Sequence, residues 1–576
     1  MPCSMQLDKE RNATSTPECQ TGVRVVRRHN LLVRCSHWLN VPIFLGLILS
    51  GVSIYWASPV YQHKPDPLTG NVDPLADIGI WICAHVPGSH QYSSSPEWVY
   101  NHISLGPGML AVALRLHWLC AYLFMLNGLV YVLGLVMGGG WRSLLPRRTD
   151  LRDAIKMYRY YLGFPLAKLT RRTWLHPRFN TKYNALQRVA YFSIPVAGLL
   201  SVATGWAIHK PMQLYWLTAI FGGYDKARIW HFWLMWVFIL FVVPHVILVL
   251  ADVGHASQHD RRLVDEGGEI GGLLTMNLED EQSALNAENT SSTESASPRK
   301  PASFFQEQPA QVIELAPQVL RHWTRRDVLL FGAGAIAALA GGGSLLPRST
   351  LGRLGIALGN KNWPQKEWLL NRALRIDDDV AEALYSRNRL VPTYTKSQIT
   401  PLKNNYNGAT PDPSYIPEWR LTLDGLASGL SVSLNIRNLL ASFRLHEQIT
   451  RLVCVEGWSA IAWWAGIRFD DLLGAYPPMS QAKWVRIESS VNLGPWGNPD
   501  PYFVSLDLST ARHPQTLLAT HLNGKPLTVE HGAPLRLLVP VKLGLKNVKA
   551  ITRITYTAEE PKDYWAKRGY SHYDGI

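Results

Sequence analysis

The stretch IWHFWLMWVFILFVVPHVILVLA, residues 229–251, decides how the first half of this chain folds. It is apolar over the roughly 20 residues that a helix needs to cross a bilayer, yet it carries two histidines, His231 and His245. They lie fourteen residues apart, which is about four helical turns and about 21 Å of rise, so both rings face the same way. One membrane helix therefore presents an imidazole at each of two depths.

Three further apolar segments complete a unit of four predicted membrane helices: 36–56, 109–137 and 187–208. Basic residues precede the first segment in RVVRRHN and follow the second in WRSLLPRRTDLRD. The positive-inside rule places both basic stretches in the cytoplasm. His37 then lies near the inner start of the first helix and His117 near the outer start of the second. Depth pairs His117 with His231 outside, and His37 with His245 inside.

An imidazole in hydrocarbon is costly, so histidines inside membrane helices are candidates for proton relays or for metal and haem ligands. Histidines that only pack in a bundle or relay protons would explain one or two of the four, but not four at matched depths. Two sites with two histidines each suit b-type haem, because an iron that only transfers electrons keeps both axial positions filled. We therefore predict two haem b groups, with Arg34 and Arg115 beside the ligands as partners of the propionates.

Residues 28–255 resemble the four-helix, two-haem cytochromes b that serve as membrane subunits of formate dehydrogenases and hydrogenases. The matching motifs are RxxHW (34–38), RLHW (115–118), KYNALQR (182–188), the Thr204-Gly205 pair and the fourteen-residue histidine spacing. The resemblance implies electron exchange with quinone or quinol. His209 could shape a pocket for that quinone.

The composition excludes several other classes of protein. A formal net charge of +14 over 576 residues would raise nucleic-acid binding for a soluble protein, but the basic residues cluster beside the membrane segments. We therefore expect a lipid bilayer and no nucleic acid as partner. The six cysteines form no CxxC pair, which argues against a disulfide scaffold or a zinc ribbon.

A fifth apolar segment follows the four predicted membrane helices. A polar stretch rich in Ser, Thr, Glu and Pro precedes HWTRRDVLLFGAGAIAALAGGGSLL, in which Arg325 and Arg326 stand before 19 uncharged residues, 328–346. A basic pair before a membrane helix is an ordinary orientation signal. It also resembles a twin-arginine export signal, used for domains that fold around a cofactor before crossing. Either interpretation carries the C-terminal domain outward, and we predict an uncleaved anchor.

From about residue 395 the pattern changes to short β-like runs separated by turns, typical of a mixed α/β or mostly β fold with irregular loops. Cys454, in RLVCVEGWS, is the only cysteine there; a lone buried cysteine usually acts as a small hydrophobic residue. Its neighbours indicate another role. Residues 400–560 resemble the sulfite oxidase superfamily of molybdenum enzymes, most closely the periplasmic protein-methionine-sulfoxide reductases. The matches are KNNYN (403–407), CVEGWS with AWWAGI (454–467), IES (487–489), YFVSLDL (502–508) and HGAPLRLLVP with KNVK (531–549).

The resemblance implies a role for each matched residue. The Cys454 thiolate would bind molybdenum, which suits a soft anionic sulfur. Tyr502 and Lys403 would contact the substrate. The molybdopterin and its phosphate would be held by Asn404, Asn407, Ser489, His531, Arg536, Asn547, Val548 and Lys549. Two departures leave the substrate open: CVEGW replaces the CxGNRR run of true sulfite oxidases, whereas His531 matches sulfite oxidases and not the reductase branch, which tends to carry Asn.

The sequence thus predicts a multidomain protein: an all-α transmembrane four-helix haem bundle, one further transmembrane helix, and an α+β sulfite-oxidase-like molybdopterin domain. The predicted divisions are a basic lead-in (1–30), the cytochrome b domain (31–255), a disordered linker (256–320), the anchor helix (321–347), a helical connector (348–395) and the molybdopterin domain (396–576).

The predicted location is the bacterial inner membrane, with the C-terminal domain in the periplasm and next to the His117–His231 pair. The preferred activity is an oxidoreductase that carries electrons from quinol to a small or protein-bound S-oxide. Two alternatives stay open: a sulfite-type dehydrogenase that feeds quinone, and an electron conduit whose C-terminal domain binds a partner without metal.

Overall fold

The computed structural model describes most of the membrane half and most of the C-terminal half of the chain. The described residues are 23–26, 31–56, 105, 109–137, 141–169, 185–265, 312–315, 364–403, 410–493 and 501–576. The predicted anchor helix at 321–347 and most of the predicted linker lie outside them. Asn404 and Asn407, predicted to bind the pterin, also lie outside the described residues.

The membrane half is helical. Its helices are α1 (Leu31–Trp56), α2 (Leu110–Met137), α3 (Trp141–Leu144), α4 (Asp150–Leu169), α5 (Ala185–His209), α6 (Tyr215–Ile220) and α7 (Tyr224–Asp265). Four of them, α1, α2, α5 and α7, contain segments long and apolar enough to cross a membrane. Large apolar side chains such as Leu199 and Leu240 point outward from these helices. An apolar outer surface of this kind suits contact with lipid, and the chain is an integral membrane protein.

Different helices form the two ends of the helical bundle. One end carries α3 and α4, and α4 bears Arg152, Lys156 and Arg159. The other end is formed by the last residue of α1, the first residues of α2 and α7 and the last residue of α5. α1 packs along α2, and α5 packs along α7. This pairing brings histidines from three helices to the bundle interior.

Two short pieces of the described chain pair outside the bundle and the C-terminal domain. Strand β1 (Val23–Val26) runs antiparallel to β2 (Val312–Leu315), with Val23 opposite Leu315. The pairing joins the basic lead-in to the end of the predicted linker. The sequence patterns did not predict this contact.

Helix α8 (Pro364–Leu384) connects the membrane half to the C-terminal domain. Its apolar side chains Leu370 and Ala373 are buried in one cluster with Leu116 and Leu119 of α2. Charged residues such as Arg372, Arg375 and Asp379 are exposed on its other side, so α8 is an amphipathic helix with one face on the bundle.

The C-terminal half is an α+β domain with two five-stranded sheets. Its strands are β3 (Leu421–Asp424), β4 (Val432–Leu434), β5 (His446–Val453), β6 (Ser459–Arg468), β7 (Trp484–Asn492), β8 (Pro501–Asp507), β9 (Leu517–Leu522), β10 (Lys525–Pro526), β11 (Arg536–Leu538) and β12 (Ile551–Thr557). Its helices are α9 (Ile436–Ser442), α10 (Phe469–Ala475) and α11 (Leu508–Ala511). One sheet has the order β10-β9-β6-β5 with β11 beside β9, and the other has the order β4-β3-β12-β7-β8. The predicted fold class is confirmed.

The hairpin β5–β6 positions the predicted molybdenum ligand. The strands pair from His446 opposite Gly466 to Val453 opposite Ser459, and the turn between them runs from Cys454 to Trp458. The Cys454 amide donates to the Trp458 carbonyl at 2.8 Å, and the Gly457 amide donates to the Cys454 carbonyl at 3.0 Å. Gly457 has a φ of 86°, a conformation that a glycine adopts without strain. The rigid hairpin therefore holds Cys454 at its tip.

Candidate functional site

The four histidines of the membrane half form two pairs. The ring centroids of His117 and His231 lie 6.3 Å apart, and those of His37 and His245 lie 6.1 Å apart. We call them the proximal pair and the distal pair, by their distance from the C-terminal domain. Two imidazoles that share one iron place their centroids roughly 6 Å apart, since each metal–nitrogen bond is about 2 Å and each nitrogen lies about 1 Å from its centroid. Both pairs fit an iron with two axial histidines.

Hydroxyl groups orient both rings of the proximal pair. The Nδ1 atom of His117 lies 3.0 Å from Ser50 Oγ, and the Nδ1 atom of His231 lies 3.0 Å from Thr204 Oγ1. The two hydroxyls donate their protons to helix carbonyls, Ser50 to Gly46 at 2.6 Å and Thr204 to Leu200 at 2.8 Å. Each hydroxyl oxygen can then accept only from an Nδ1–H, which leaves Nε2 of each ring as the lone-pair nitrogen for a metal.

A glycine follows each of these hydroxyl residues and lies beside the ring, and the approach is tighter at Gly205 than at Gly51. A Cβ at Gly51 would lie 3.7 Å from Cε1 of His117, and a Cβ at Gly205 would lie 3.3 Å from Cε1 of His231. Ser50 on α1 and Thr204 on α5 therefore play the same part for the two proximal rings, and only Gly205 is closely confined by its ring. The sequence pointed to Thr204-Gly205 as a family motif; the matching Ser50-Gly51 was missed, although the repeated hydroxyl–glycine step was its signal.

The distal pair has aromatic neighbours instead. Phe241 stacks on His245 with ring centroids 5.4 Å apart and planes 14° apart, and Trp38 meets His37 edge-on at 6.0 Å. Within the described part of the chain, neither distal ring has a hydroxyl partner of the proximal kind. Asn127 of α2 instead donates to the Ser36 carbonyl at 2.9 Å, next to His37 in the chain. The distal rings are thus placed by packing and by backbone anchoring.

The arginines predicted beside the haem ligands are placed as follows. Arg115 lies on α2, where its Nη1 donates to Glu367 Oε2 at 3.0 Å and to Asn371 Oδ1 at 2.8 Å of α8. Arg34 lies on α1, one turn before His37. A third arginine, Arg228 of α7, lies one turn before His231, is only 8% exposed, and lines the cavity between the proximal rings. Sequence reasoning missed Arg228, although its three-residue spacing from His231 was visible.

One cavity joins the proximal pair to the turn that carries Cys454. It has a volume of about 330 Å³ and is bordered by His117 and His231 at one end and by Cys454 to Gly457 at the other. The remaining walls come from α1, α2, α5 and α7, from Asp377 of α8 and from Leu543. The bundle interior and the C-terminal domain therefore share a continuous space.

Cys454 also lines a second, smaller cavity, which is bordered mainly by the C-terminal domain and also by Leu110 of α2. This space has a volume of about 140 Å³ and is bordered by Lys403, Tyr502 and Arg536, all predicted from the sequence, and by Trp565 and Tyr570, which were missed. The Trp565 indole donates to Tyr502 Oη at 3.2 Å, and Tyr502 donates to the Leu545 carbonyl at 2.6 Å. The predicted metal ligand and both predicted substrate contacts thus lie around one pocket.

The surroundings of Cys454 raise the pKa of its thiol. Burial is the larger cause, and the nearby Glu456 carboxylate adds to it, with Glu456 Oε2 4.0 Å from the sulfur. The same carboxylate oxygen accepts from the Trp458 indole at 2.9 Å. A metal that binds this sulfur must displace its proton, as expected for thiolate ligation. Glu456 is a further neighbour that the sequence analysis did not assign.

A cationic cluster lies on the far side of the smaller cavity. It consists of His531, Arg536 and Lys549; burial and the neighbouring Arg536 charge lower the pKa of Lys549 to about 7 and that of His531 to about 4. His531 Nδ1 is buried without a hydrogen-bond partner among the described residues, and Arg536 Nη1 donates to the His531 carbonyl at 3.1 Å. The charges of Arg536 and Lys549 repel each other, which favours a bound anion, so the cluster fits the phosphate of a pterin cofactor.

Of the other predicted pterin residues, Ser489 contacts this cluster directly, and Asn547 and Val548 precede Lys549 in the chain. Ser489 Oγ donates to the Lys549 carbonyl at 2.7 Å. Asn547 Oδ1 accepts from the Val539 amide at 2.6 Å, and its Nδ2 donates to the Leu543 carbonyl at 3.1 Å. The Val548 side chain is fully buried. The structure therefore brings the described members of the predicted set together.

A buried ionic cluster fixes the two halves against each other. Asp377 of α8 accepts from His209 Nε2 at 2.5 Å, from Tyr122 Oη at 3.0 Å and from Lys210 Nζ at 3.3 Å. Burial alone raises the pKa of Asp377, but the neighbouring His209 and Lys210 outweigh burial and hold it below its ordinary value. Lys210 also donates to the Gly575 carbonyl at 2.8 Å. His209, suggested for a quinone pocket, therefore pairs with α8.

Comparison with known families matches each half separately. Residues 28–257 match the family model described as prokaryotic cytochrome b561. Residues 407–565 match the model described as the oxidoreductase molybdopterin binding domain. The two matched regions coincide with the helical half and the two-sheet half.

Individual relatives follow the same division. A protein-methionine-sulfoxide reductase subunit YedZ1 of Azospira oryzae is 32% identical over 209 residues, which are 35% of this chain and 74% of that protein. The protein-methionine-sulfoxide reductase catalytic subunit MsrP of Xanthomonas campestris is 40% identical over 141 residues, 23% of this chain and 43% of that protein. This chain thus matches less than half the length of that catalytic subunit. The solved sulfane dehydrogenase SoxCD of Paracoccus pantotrophus is 20% identical, with 31% of this chain and 47% of that chain covered and a TM-score of 0.25.

Proposed function

We propose that this chain, which belongs to the prokaryotic cytochrome b561 family and carries a fused molybdopterin-binding oxidoreductase domain of the sulfite oxidase type, reduces an S-oxide with electrons from quinol. The observation that carries the proposal is the cavity shared by the proximal pair and Cys454. It puts the electron-carrying half and the catalytic half in direct contact. The names of the relatives favour a sulfoxide-type substrate.

The proximal and distal pairs are proposed to hold two haem b groups. A haem with two axial histidines accepts and gives up one electron at a time and has no open position for a substrate. Ser50 and Thr204 keep Nε2 of the proximal rings available, and Arg228 supplies a cation for a propionate. Arg34 and Arg115 stay predicted partners of the propionates.

Cys454 is proposed to bind the molybdenum of a molybdopterin cofactor, which supplies oxygen-atom transfer. His531, Arg536 and Lys549 would neutralise the pterin phosphate, and Asn404, Asn407, Ser489, Asn547 and Val548 would shape the remaining site. Tyr502 and Lys403 would face the substrate. Both lie on the wall of the cavity that Cys454 lines.

The charges beside Cys454 favour a neutral substrate. Glu456 places a carboxylate at the sulfur, where it repels an anion such as sulfite. Arg536 and Lys549 belong to the proposed phosphate site, so Lys403 is the cation assigned to the substrate. Trp458, Tyr502, Trp565 and Tyr570 give the cavity an aromatic wall, which suits a sulfoxide with apolar substituents.

The proposed reaction is balanced. A quinol gives two electrons and two protons and leaves as quinone, and the S-oxide takes two electrons and two protons and leaves as the sulfide and water. The basic end of the bundle, with α4, would face the cytoplasm. The C-terminal domain at the opposite end would then act in the periplasm of the bacterial inner membrane.

The test uses the purified full-length protein with its cofactors. Methionine sulfoxide should reoxidise haems that dithionite has reduced, whereas sulfite should leave oxidised haems unchanged. Cys454→Ser should abolish the reoxidation and keep the haem spectrum. Reduction of the haems by sulfite would reverse the direction to a sulfite-type dehydrogenase. Iron without molybdenum in elemental analysis would instead indicate an electron conduit with a metal-free domain.

A further inference from the structure

The first turn of α7 is seated on the turn that carries Cys454. Tyr224, the first residue of α7, is only 4% exposed, and its hydroxyl donates to the Gly457 carbonyl at 3.2 Å. Gly457 in turn donates its amide to the Cys454 carbonyl at 3.0 Å. A single hydrogen bond therefore connects the helix of His231 to the closed turn of the predicted molybdenum ligand.

The next residue, Asp225, binds the hairpin beside the same contact. Its Oδ2 accepts from Arg451 Nη1 at 2.9 Å, and its Oδ1 accepts from Ser459 Oγ at 3.3 Å. Arg451 lies on β5 and Ser459 on β6, so one carboxylate holds both strands of the hairpin. Arg451 Nη1 also donates to Ser459 Oγ at 2.6 Å, which closes the ring of contacts.

The distance along α7 from this contact to the proximal pair is short. His231 lies seven residues after Tyr224, which is about two helical turns and about 10 Å of rise. Tyr224, His231 and Gly457 all border the cavity of about 330 Å³. The covalent path along α7 and one hydrogen bond therefore connect the residue of the proximal ring to the Cys454 turn.

Other contacts between the two halves reach different elements. Arg115 contacts α8, Gln213 Nε2 donates to the Ala381 carbonyl at 2.7 Å, and Lys210 contacts Asp377 and Gly575. These contacts fix the domain orientation without touching the turn from Cys454 to Trp458. Among the described residues, the first turn of α7 supplies the polar contacts from the bundle to the β5–β6 hairpin.

We propose that the Tyr224–Gly457 contact is the junction through which the proximal site passes electrons to the Cys454 site, with Asp225 as the residue that positions it. This inference rests on the proposed function. Each turnover sends two electrons across, one at a time. Tyr224 keeps its proton and is not oxidised, and no covalent bond forms or breaks at the junction. A continuous bonded contact couples two sites better than a gap of the same length.

Tyr224→Phe tests the junction because it removes the hydroxyl and keeps the ring. Haems of the holoprotein are reduced with dithionite, and their reoxidation by methionine sulfoxide is followed by stopped-flow absorbance. We expect reoxidation several-fold slower than in the wild type, with an unchanged haem spectrum. Turnover driven by a soluble donor that reduces the molybdenum domain directly should stay unchanged.

Tyr385→Phe is the matched control. Tyr385 Oη also donates to a backbone carbonyl, that of Ser509 at 3.1 Å, but this bond joins the chain after α8 to α11. The control should reoxidise at the wild-type rate. Equal rates in Tyr224→Phe and Tyr385→Phe overturn the junction. So does an equal loss of haem-driven and directly driven turnover in Tyr224→Phe, because that result assigns Tyr224 to the stability of the catalytic site.

Asp225→Asn gives a second readout that needs no cofactor. Loss of the carboxylate charge should raise amide hydrogen exchange in the peptide that covers 451–459 and slow haem reoxidation in parallel. Faster exchange with wild-type reoxidation, or unchanged exchange, would contradict the positioning role of Asp225. Failure of every S-oxide to reoxidise wild-type haems would reject the proposed function itself, and the junction with it.

Discussion

The proximal and distal histidine pairs have nearly the same ring separation, 6.3 Å and 6.1 Å, and very different surroundings. Both proximal rings meet a hydroxyl through Nδ1, and a glycine stands beside each ring. The distal rings have aromatic neighbours, Phe241 and Trp38. Two imidazoles at the right separation are enough to bind a metal, and both pairs provide them. The groups that hold the imidazoles in one orientation differ between the two pairs.

The better-fixed pair is the one next to the catalytic domain. Partners on the second ring nitrogen set the tautomer and orientation of a histidine ligand and raise its basicity. A fixed ring keeps a constant distance to the Tyr224–Gly457 contact. The distal pair lies at the end away from the C-terminal domain, where a mobile partner such as quinol would exchange electrons. We expect the following variants to separate the two pairs.

Removal of one ligand from each pair should give the largest difference. His231→Ala should abolish haem binding at the proximal pair and stop reoxidation of the remaining haem by methionine sulfoxide. His245→Ala should halve the haem content equally but leave the proximal haem reoxidisable after dithionite reduction. Pyridine haemochrome analysis gives the content, and stopped-flow absorbance gives the rate. Loss of reoxidation in both variants, or in neither, would contradict the proposed order of the two haems.

Removal of a hydroxyl should weaken only the proximal pair. Thr204→Ala or Ser50→Ala takes the acceptor from an Nδ1–H, and the loss of such a partner typically costs about 10- to 100-fold in metal affinity. We expect haem loss at the proximal pair during titration with a haem scavenger, with the distal haem retained. Thr204→Ser should restore binding. Ser193→Ala is the control, since among the described residues that hydroxyl contacts the Ala190 carbonyl of α5 and no histidine. Equal haem loss from both pairs would contradict a role for these hydroxyls that is specific to the proximal pair.

Neutralisation of Arg228 should shift a potential and leave the ligands in place. A cation beside a haem stabilises the reduced form, so Arg228→Gln should lower the midpoint potential of the proximal haem. Arg34→Gln should lower that of the distal haem instead. A redox titration followed by absorbance measures both. If Arg115→Gln shifted the midpoint potential of the proximal haem and Arg228→Gln did not, Arg115 and not Arg228 would be the partner of the propionate.

The two glycines of the proximal pair should give the smallest difference. A Cβ at position 205 would lie 3.3 Å from Cε1 of His231, tighter than an ordinary contact, whereas one at position 51 would lie 3.7 Å from His117. Gly205→Ala should therefore perturb the low-spin electron paramagnetic resonance signal of the proximal haem, and Gly51→Ala should leave it unchanged. The opposite pattern would mean that α1, and not α5, sets the ring orientation.

Some of this architecture could be predicted from local sequence. The fourteen-residue spacing of His231 and His245 fixed two depths on one helix, because helical rise is nearly constant. The neighbours of Cys454 identified a molybdopterin domain, and the predicted α+β fold is confirmed. In contrast, Arg228, Glu456 and Trp565 were missed. Trp565 gains its role from Tyr502 on β8, which local sequence does not show. Arg228 and Glu456 stand three and two residues from His231 and Cys454, so that spacing could have identified them.

The sequence by itself determined which residues can act as ligands and how they are spaced along each helix, since both follow from side-chain chemistry and regular backbone geometry. The sequence also predicted the C-terminal domain next to the proximal pair, but only the tertiary structure decided which segments meet there, with the first turn of α7 on the Cys454 turn. That contact depends on Tyr224 and Asp225 meeting a hairpin more than 220 residues later in the chain. Packing between distant segments selects such partners, because apolar burial and ion pairing act through space and not along the chain.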